Sequence, residues 1–258
     1  MRTNRGSPAD SRKLSERERE RYARQLVLRG WGDEAQLRLK TATVFVAGAG
    51  GLGSAAILYL AAAGVGCIRV CDRDVVELSN LNRQILHTDR RIGRRKSLSA
   101  RDAVARLSRE VRVVPLAAEL TPHNAPELAA GADVLLDCLD SVTSRLALNQ
   151  YSVIARLPLV HAGVRSLGGQ LTFLNPPSTP CLACFMREPD SGSLPSGIPP
   201  ILGAVAGALG CLQALETLKY LTGIGERAEN RLIFLDGETL KIEEVAIAKD
   251  PACPVCGR

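Results

Sequence analysis

A glycine-rich turn between two apolar, β-prone runs constrains the fold of this chain more than any other feature. The first run, Thr43–Ala47, leads into the turn Gly48–Gly53, which reads GAGGLG, and a helix-compatible segment then continues to Ala63. A second apolar run, Cys67–Cys71, is followed at once by Asp72. The order strand, glycine turn, helix, strand and acid predicts a βαβ unit that holds a nucleotide at the start of its helix.

The residues of this unit have distinct expected roles. Gly48 allows the tight turn, Gly50 lets the backbone approach a phosphate, and Gly53 lets the helix pack closely against the strand. The start of the helix offers unpaired N–H groups and the positive end of the helix dipole to an anion. Asp72, at the end of the second strand, is placed to accept ribose hydroxyls. The fingerprint predicts a nucleotide without saying which one.

The rest of the chain predicts an α/β fold with a doubly wound, Rossmann-like and mostly parallel sheet. Strands and helices alternate as far as about residue 161, and such alternation builds parallel βαβ units. The later strand-like segments have no crossover helices between them, so they predict an antiparallel C-terminal extension. Predicted strands cover 43–47, 67–71, 111–117, 133–138, 158–161, 164–174, 231–236 and 240–248, and predicted helices cover about 15–28, 34–40, 51–63, 93–109, 121–130, 141–156 and 201–221.

Composition and charge narrow the class of function. The net charge is +6, but residues 1–29 hold nine basic and four acidic residues, so the remainder is nearly neutral and we expect no nucleic-acid partner. The first 25 residues lack the apolar core of a signal peptide, and the most apolar run, 198–215, is glycine-rich and followed by charges. We therefore expect a cytoplasmic protein without a membrane span. Residues 1–14 predict a disordered tail, and 15–258 a single domain.

Four of the eight cysteines form two CxxC pairs, Cys181 with Cys184 and Cys253 with Cys256. Each pair has zinc-knuckle spacing, and four thiolates satisfy a tetrahedral Zn²⁺ ion. Because four sulfurs leave no open coordination position, we predict a structural zinc site that ties the long loop at 175–200 to the C-terminal end. The alternatives are two redox-active dithiols or incidental cysteines. The other four cysteines lie singly in apolar segments and are expected to be buried.

A second group of polar residues occupies the ends of the first parallel strands or the loops after them: Asp72, Asn80, Arg83, Lys96 and Asp140. These ends converge at one edge of a doubly wound sheet. Two cations between two carboxylates suit ATP with Mg²⁺, with Arg83 and Lys96 on the phosphates and Asp140 on the metal. Each residue alone has an ordinary alternative, such as a solvated arginine, a surface lysine or an aspartate that caps the next helix. Their joint placement around the glycine turn favours the nucleotide site.

Seven motifs occur in order along residues 15–258: RYARQ (21–25), GAGGLGS (48–54), AAAGVG (61–66), DVVELSNLNRQ (74–84), HTDRRIGRRK (87–96), the pair Asp137 and Asp140, and the two CxxC pairs. Together they make the chain resemble the MoeB/ThiF/HesA adenylyltransferases, bacterial relatives of ubiquitin-activating enzymes. The resemblance implies ATP-dependent adenylation of the C-terminal glycine carboxylate of a small ubiquitin-like sulfur carrier protein ending in Gly-Gly. Pyrophosphate is released, and the reaction is a step towards a sulfur-containing cofactor or a thiocarboxylate.

The resemblance also implies roles for particular residues and segments. Segment 15–40 is an N-terminal helical segment, 41–162 the nucleotide-binding half and 163–258 the carrier-binding and zinc half. The implied catalytic residues are Arg24, Arg83, Lys96 and Asp140, with Asp140 holding Mg²⁺. The implied nucleotide-binding residues are Gly48, Gly50, Gly51, Gly53, Asp72, Asp74, Ser79, Asn80, Leu81, Asn82, Arg83, Lys96, Asp140 and Ser141. Arg24 matches an arginine that the family supplies to the partner subunit's ATP, which implies an obligate homodimer with shared sites.

Departures from the family pattern affect the expected chemistry. Many relatives carry a cysteine in the loop before the apolar helix, whereas Ser196 lies near that position and no cysteine occurs between 185 and 210. We therefore expect no covalent thioester through this loop. Ser141 follows the metal aspartate where relatives usually have asparagine, which would alter the nucleotide geometry slightly. No rhodanese domain follows the second CxxC pair, so a separate sulfur donor is expected.

Other functions fit part of the sequence. An NAD-binding oxidoreductase would use the same glycine turn, but His87, His123 and His161 are scattered and no substrate domain accompanies them. A non-catalytic nucleotide-binding scaffold would not need the cations and the acid that this chain carries. A relative that acts on tRNA or on another small carboxylate is a further alternative, although the near-neutral charge beyond residue 29 does not favour RNA.

Overall fold

The computed structural model describes residues 13–186 and 200–257 and contains one eight-stranded sheet. Its strands are β1 (Thr43–Ala47), β2 (Cys67–Cys71), β3 (Arg112–Leu116), β4 (Val134–Asp137), β5 (Leu159–Arg165), β6 (Gly168–Leu174), β7 (Arg231–Asp236) and β8 (Lys241–Ala246). Their order across the sheet is β3-β2-β1-β4-β5-β6-β7-β8. The first five pair in parallel, and β6, β7 and β8 continue the sheet in antiparallel fashion. The predicted Rossmann-like sheet with an antiparallel extension is confirmed.

Helices cover both faces of the parallel part of the sheet. They are α1 (Glu16–Arg21), α2 (Ala23–Leu26), α3 (Gly32–Thr41), α4 (Gly51–Ala63), α5 (Lys96–Leu107), α6 (Ala125–Leu128), α7 (Val142–Ala155) and α8 (Gly203–Thr222). Val44 and Val46 of β1 belong to one apolar cluster, which α4, α5 and α8 complete. Phe45 and Ala47 belong to the second, which α6 and α7 complete. Every second residue of the strand therefore faces the same helical layer.

The order of the sheet reverses at β1, because β2 lies on one side of this strand and β4 on the other. Ala47, the last residue of β1, pairs with Cys71 of β2 and with Asp137 of β4. In open parallel sheets, ligands bind in the crevice outside the carboxyl ends of the strands at such a switch point. The glycine turn after β1 and the residues Asp72 and Asp140 after its neighbours therefore emerge at the same edge.

The N-terminal helix begins where the sequence predicts and ends early. Ser15 accepts a hydrogen bond from the N–H of Glu18, and the Glu18 carboxylate accepts one from the N–H of Ser15, which forms a capping box. The single helix predicted over 15–28 is wrong, because the backbone leaves helical geometry at Tyr22 and restarts as the short α2. The Tyr22 ring is buried against Gly64, where an added Cβ would lie 2.6 Å from the ring. This long-range packing interrupts the helix.

The strand predicted over 164–174 is also wrong, because it spans a tight hairpin. Val164 and Arg165 complete β5, and the chain reverses through Ser166 and Leu167 before β6 starts at Gly168. Ser166 adopts φ +57°, a left-handed conformation that an L residue other than glycine seldom takes. The two turn residues, Ser166 and Leu167, are not the glycine, asparagine or aspartate that ordinarily mark a two-residue hairpin turn, so the sequence pattern does not reveal it.

Smaller differences concern one helix and one cysteine. The helix predicted over 121–130 is a single turn, Ala125–Leu128, and Cys211 is half-buried where burial was expected. The expectations for Ser196 and for most of the 1–14 tail concern positions outside the described residues. In the part of the chain that the structure describes, none of the helices has the length and hydrophobicity needed to cross a membrane.

Candidate active site

The glycine turn after β1 adopts the geometry that its sequence predicts. Gly48 has φ +98°, and a Cβ there would lie 2.5 Å from the Cys138 carbonyl oxygen. A Cβ on Gly53 would lie 2.1 Å from the Gly48 carbonyl oxygen, so α4 can approach the turn only because this residue is glycine. Around Gly50, by contrast, the nearest atom to an added Cβ is 3.8 Å away, on Gln84. The turn is therefore packed on its inner side and open at Gly50.

The start of α4 presents free backbone donors at this opening. The first hydrogen bond of the helix runs from the Ser54 N–H to the Gly50 carbonyl oxygen, at 2.9 Å. The amides of the three residues before Ser54 lie in the first turn, where no earlier carbonyl of the helix is available to them. Gly50, the N-cap residue, has no side chain with which to cap the helix. These donors and the positive end of the helix dipole form a ready site for an anion such as a phosphate.

Asp72 is held by the backbone on both sides of it. One carboxylate oxygen accepts a hydrogen bond from the Ala49 N–H and the other accepts one from the Asp74 N–H, each at 2.8 Å. Burial raises the pKa of Asp72, against these two hydrogen bonds and the charge of Lys96. Each oxygen keeps a second acceptor position, so the predicted role at a ribose is compatible with this geometry. Asp72 also fixes the glycine turn, a role that the sequence does not show.

His87 supports the same turn and was missed as a site residue. Its Nε2 lies 2.9 Å from the Ala49 carbonyl oxygen, and its Nδ1 lies 2.9 Å from the Ser99 hydroxyl oxygen. Burial lowers the pKa of His87, so the ring is neutral, donates from Nε2 to Ala49 and accepts at Nδ1 from Ser99. Thirty-eight residues separate His87 from Ala49, and no local pattern in the sequence signals a contact of that range.

The segment 74–84 forms a compact loop over the opening. Asn80 is buried, and its side-chain oxygen accepts from the Glu77 N–H at 3.1 Å, so this residue shapes the loop. Arg83 is half-buried and donates from Nη1 to the Ser79 carbonyl oxygen and to the Asn82 side chain, each at 2.9 Å. Arg83 therefore folds back on its own loop, where Ser79 and Asn82 are exposed and Leu81 is half-buried.

Lys96 is a buried cation at the first position of α5. Its Nζ lies 3.1 Å from a carboxylate oxygen of Asp74, and its side chain is only 8% exposed. A cation at the start of a helix opposes the helix dipole, and burial removes its hydration. Asp74 is half exposed and only partly compensates this charge. An anionic ligand beside Lys96 would offset both the unfavourable helix dipole and the lost hydration.

Asp140 is an exposed carboxylate three residues after the end of β4. Within residues 13–186 and 200–257 it has no hydrogen bond and no ion pair. The residue that caps the following helix is Ser141, whose hydroxyl accepts from the Ser144 N–H at 3.1 Å. The capping alternative for Asp140 is therefore wrong, and its oxygens are free to bind a cation. Asp137, its partner in the motif, is fully buried and points into the core.

Arg24 is not brought together with the other predicted site residues. It is exposed on α2, and the next residue, Gln25, donates from its side chain to the Ala63 carbonyl oxygen at 3.1 Å. Ala63 ends α4, whereas the glycine turn precedes its start, and a helix of 13 residues is about 20 Å long. An arginine side chain cannot bridge that distance. Arg24 can reach such a site only on another molecule.

The four paired cysteines converge at the C-terminal end. Their sulfur atoms all lie within 4.8 Å of one another, with Cys181 3.7 Å from Cys253 and Cys184 3.4 Å from Cys256. Although burial opposes ionisation, the backbone amides of Cys256 and Val255 lower the pKa of Cys253 to about 7. Four convergent sulfurs, one of them easily ionised, fit a tetrahedral thiophilic metal ion. This cluster could hold such an ion.

A cleft of about 870 Å³ lies beside the first turn of α7. Leu120 after β3, Thr143 and Ala147 of α7, and Val255 of the cysteine cluster contribute to its mostly apolar lining, and none of residues 48–53 does. The cleft flanks the switch point, since Thr143 follows Asp140 by three residues.

Comparison with known proteins gives close relatives. The SAMP-activating enzyme E1 of Haloferax volcanii is 41% identical over 240 residues, covering 92% of this chain and 88% of that protein. The molybdopterin-synthase adenylyltransferase of Escherichia coli is 38% identical over 246 residues, covering 95% and 99%. Adenylyltransferase and sulfurtransferase MOCS3 of Bos taurus is 43% identical over 247 residues, covering 95% of this chain and 54% of that longer protein.

Solved structures show the same fold. The crystal structure of Escherichia coli MccB with ATP superposes with a TM-score of 0.82 at 24% identity, covering 92% of this chain and 75% of that one. At this level of identity the likeness concerns the fold alone. The ThiF family model matches residues 22–255, which include the glycine turn, the polar residues at the switch point, the first cysteine pair and Cys253 of the second. The chain belongs to the ThiF family.

Proposed function

We propose that the protein is an adenylyltransferase that uses ATP to activate the C-terminal glycine carboxylate of a small ubiquitin-like sulfur carrier protein, with release of pyrophosphate. The observation that carries the proposal is the presence, at one edge of the sheet, of a buried cation, Lys96, and of a carboxylate, Asp140, that has no hydrogen bond or ion pair among the described residues. The names of the relatives, a SAMP-activating enzyme E1 and molybdopterin-synthase adenylyltransferases, support this substrate class.

The proposed chemistry depends on charge and position. A carboxylate that attacks an α-phosphate approaches another anion, so the site must reduce their repulsion. Lys96 and Arg83 supply positive charge, the first amides of α4 supply N–H donors, and Asp72 receives the ribose. Asp140 would hold Mg²⁺, which neutralises further charge on the phosphates when it is bound. No side chain of the enzyme forms a covalent bond with the substrate in this scheme.

A homodimer is the proposed assembly, because two neighbouring helices lack a polar outer face. α4 contains no charged residue, and neither does α8 before Glu216. Tyr59 of α4 is 58% exposed and Leu215 of α8 is 50% exposed, with Val27 and Leu28 exposed on the adjoining N-terminal segment. A surface helix ordinarily has a charged outer stripe, so this face is suited to a partner. Arg24 precedes Val27 by three residues and would enter the partner subunit's nucleotide site.

The cysteine cluster is proposed as a structural zinc site. Its four sulfurs come from two segments 72 residues apart, and four protein ligands leave no position for a substrate. In this scheme 41–162 binds the nucleotide and 163–258 receives the carrier and holds zinc, in the cytoplasm. Sulfur would come from a separate donor protein.

An oxidoreductase is not favoured by the structure. Two of the three histidines, His87 and His161, are buried with both ring nitrogens engaged by other groups. Neither can exchange a proton with a substrate in the crevice. His123 is exposed after β3 and has no acidic partner that would orient it in the described part of the chain.

The test is carrier-dependent pyrophosphate exchange. Purified protein is incubated with ATP, Mg²⁺, labelled pyrophosphate and a ubiquitin-like protein ending in Gly-Gly, isolated by pull-down from the source organism. We expect label to enter ATP, and removal of the carrier's last glycine to abolish exchange. Asp140→Ala should lower the exchange rate by at least about 100-fold. Asp33→Ala, which removes an exposed aspartate on α3, is the matched control and should leave exchange unchanged. Exchange that persists in Asp140→Ala would overturn the metal assignment.

A further inference from the structure

Three buried polar side chains, Asp137, Arg145 and His161, form with the half-buried Gln170 a cluster directly beneath the candidate active site, which we call the buried cluster. Asp137 and His161 are fully buried, and Arg145 is 8% exposed. A buried ion pair seldom adds stability, because the cost of removing two charges from water offsets their attraction. Apolar side chains of the same volume would hold β4, β5 and α7 together as well. The cluster therefore calls for an explanation other than stability.

The hydrogen bonds of the buried cluster converge on Leu139, the residue before Asp140. The Leu139 N–H donates to one carboxylate oxygen of Asp137 at 3.1 Å. The Leu139 carbonyl oxygen accepts from Nη2 of Arg145, whose Nη1 donates to the Ala162 carbonyl oxygen at 2.6 Å. Both backbone polar groups of Leu139 are thus held by buried charged side chains. The peptide that carries Asp140 is fixed, while the Asp140 carboxylate itself makes no hydrogen bond or ion pair with the described residues and feels only the nearby charge of Arg73.

The contacts and the burial of the cluster indicate where its protons lie. His161 Nδ1 lies 2.7 Å from the second oxygen of Asp137, and its Nε2 lies 3.2 Å from the side-chain nitrogen of Gln170. Burial lowers the pKa of His161, so the neutral ring donates from Nδ1 to Asp137 and accepts at Nε2 from Gln170. Burial alone would raise the pKa of Asp137, but Arg145 and His161 lower it, so the carboxylate stays ionised. One negative and one positive charge then balance inside the fold.

We propose that Arg145 is a positioning residue for the magnesium site. Its guanidinium donates to the carbonyl oxygens of both Leu139 and Ala162 and so holds Asp140 in place for the metal that accompanies ATP. The inference rests on the proposed function, in which Asp140 is the metal ligand. A guanidinium can reach both carbonyl oxygens at once, whereas a lysine ammonium cannot. Outer groups that orient a metal ligand ordinarily affect metal affinity by about 10- to 100-fold. Arg145 would act indirectly on Asp140, through the backbone of Leu139.

The test compares ATP binding with and without magnesium by isothermal titration calorimetry. Arg145→Lys keeps the positive charge opposite Asp137 and removes the simultaneous hydrogen bonds to the carbonyl oxygens of Leu139 and Ala162. We expect the affinity that Mg²⁺ adds to ATP binding to fall by about 10-fold or more, with binding in magnesium-free buffer unchanged. The matched control is Arg69→Lys, because Arg69 also donates to two backbone carbonyls, those of Glu127 and Leu128, away from Asp140. It should keep the full magnesium effect.

The possible results separate the two proposals. An unchanged magnesium effect in Arg145→Lys, or an equal loss with and without magnesium, overturns the positioning role and leaves the proposed function standing. A wild-type protein that binds no ATP overturns both. If Arg145→Lys does not accumulate as folded protein, His161→Leu and His161→Asn make the same comparison. The leucine variant removes the donor to Asp137 and should weaken the magnesium effect, whereas the asparagine amide replaces that donor and should retain it.

Discussion

At the residue scale, three aspartates near the switch point have different roles although all follow or end a parallel strand. Asp72 accepts from two backbone amides, and Asp137 accepts from an amide, a histidine and an arginine. Asp140 accepts from no group in the described part of the chain. A carboxylate whose lone pairs are taken up by the protein holds the structure in place. Asp72 keeps one acceptor position on each oxygen for the ribose, whereas no described residue donates to the Asp140 carboxylate, which is why we assign the cation to Asp140.

Because His87 and His161 are buried, we expect the free energy of unfolding to fall at mildly acidic pH. Burial lowers the pKa of His87 and of His161, whereas in the unfolded chain each titrates near its ordinary value of about 6.5. Below about pH 6.5 the unfolded state binds more protons than the folded state, so stability falls as the pH falls. Each histidine contributes up to about 1.4 kcal/mol per pH unit in that window. Above about pH 6.5 the two histidines should no longer lower the free energy of unfolding.

Urea unfolding between pH 7.0 and pH 5.5 measures this effect. His87→Gln keeps a donor for the Ala49 carbonyl and removes one imidazole, so we expect the slope of unfolding free energy against pH to fall by about half. Contributions from Asp72 and from the cysteine cluster are common to both proteins and cancel in the comparison. An identical slope in the variant would contradict the assignment of a neutral His87.

How far the sequence predicts the site depends on the range of the contacts involved. The glycine turn, Asp72 and the strands β1 and β2 follow from one contiguous motif, and their predicted bounds are confirmed. The contact of His87 with Ala49 and the contact of Arg145 with Ala162 join separate elements. Local patterns carry no information on such pairs. The sequence likewise does not show whether Asp140 or Ser141 caps α7. In the structure the cap is Ser141, which leaves the Asp140 carboxylate exposed.

At the element scale, the packing of α8 against α4 places the apolar helix over the glycine turn. A Cβ on Gly210 would lie 2.3 Å from the Leu52 carbonyl oxygen and 3.0 Å from the Ala55 Cβ. The two backbones therefore approach more closely than side chains would allow. Gly51, at the start of α4, faces Ala206 of α8 in the same way, with 3.0 Å between an added Cβ and the alanine methyl. Small residues on α8 keep the helix start close to the core.

Two glycines one turn apart on α8 provide a matched test of this packing. Gly210→Ala forces the helices apart and should lower the free energy of unfolding by about 1–3 kcal/mol. Gly207→Ala meets no atom of residues 13–186 and 200–257 within 4 Å, and its higher helix propensity should raise the free energy of unfolding by about 1 kcal/mol. Urea unfolding at one protein concentration compares them. Equal effects of the two substitutions would contradict the close approach at Gly210.

Element boundaries were predicted well where glycine or a run of apolar residues marks them, and poorly elsewhere. β7 and β8 lie within the predicted 231–236 and 240–248. The hairpin at Ser166 and the break at Tyr22 lack such marks, because each depends on tertiary contacts: Ser166 donates its N–H to the Pro200 carbonyl, and Tyr22 packs on Gly64. Propensity cannot anticipate a turn that distant residues impose.

At the scale of the whole molecule, the cysteine cluster joins the loop after β6 to the C-terminal end. Asn149 of α7 supports the cluster: its side-chain oxygen accepts from the Leu182 N–H at 2.7 Å, and its amide lies 3.6 Å from the Cys181 sulfur. Such outer contacts orient metal ligands. A metal there would hold together segments 72 residues apart in the chain.

Metal removal should therefore lower the thermal stability of the protein. We expect a thiol-competitive chelator to lower the unfolding midpoint by about 5–10 °C, because binding energy at a structural metal site is also folding energy. Readdition of Zn²⁺ should restore the midpoint, and metal content by mass spectrometry should follow it. In Cys184→Ser/Cys256→Ser, the chelator should have no further effect. If the chelator did not change the thermal unfolding midpoint of metal-loaded wild-type protein, the structural role of the metal would be contradicted.

The proposed dimer makes each site depend on two chains, and mixed dimers can test that dependence. Arg24 lies at the far end of α4 from its own glycine turn, so Arg24→Ala and Asp140→Ala should each be inactive alone. In a mixed dimer, the pocket of the Arg24→Ala chain keeps Asp140 and receives Arg24 from the other subunit. The second pocket lacks both groups. One intact site per mixed dimer therefore forms, and only if Arg24 acts between subunits.

Coexpression of the two variants with different affinity tags gives a quantitative outcome. Random pairing makes about half of the dimers mixed, so pyrophosphate exchange should recover to about one quarter of the wild-type rate, and the doubly tagged fraction to about one half. If Arg24 served its own pocket, every pocket would lack one essential group and no fraction would recover. A doubly tagged fraction without exchange would thus contradict shared sites, whereas recovery would show that the charge on one chain completes the phosphate site on the other.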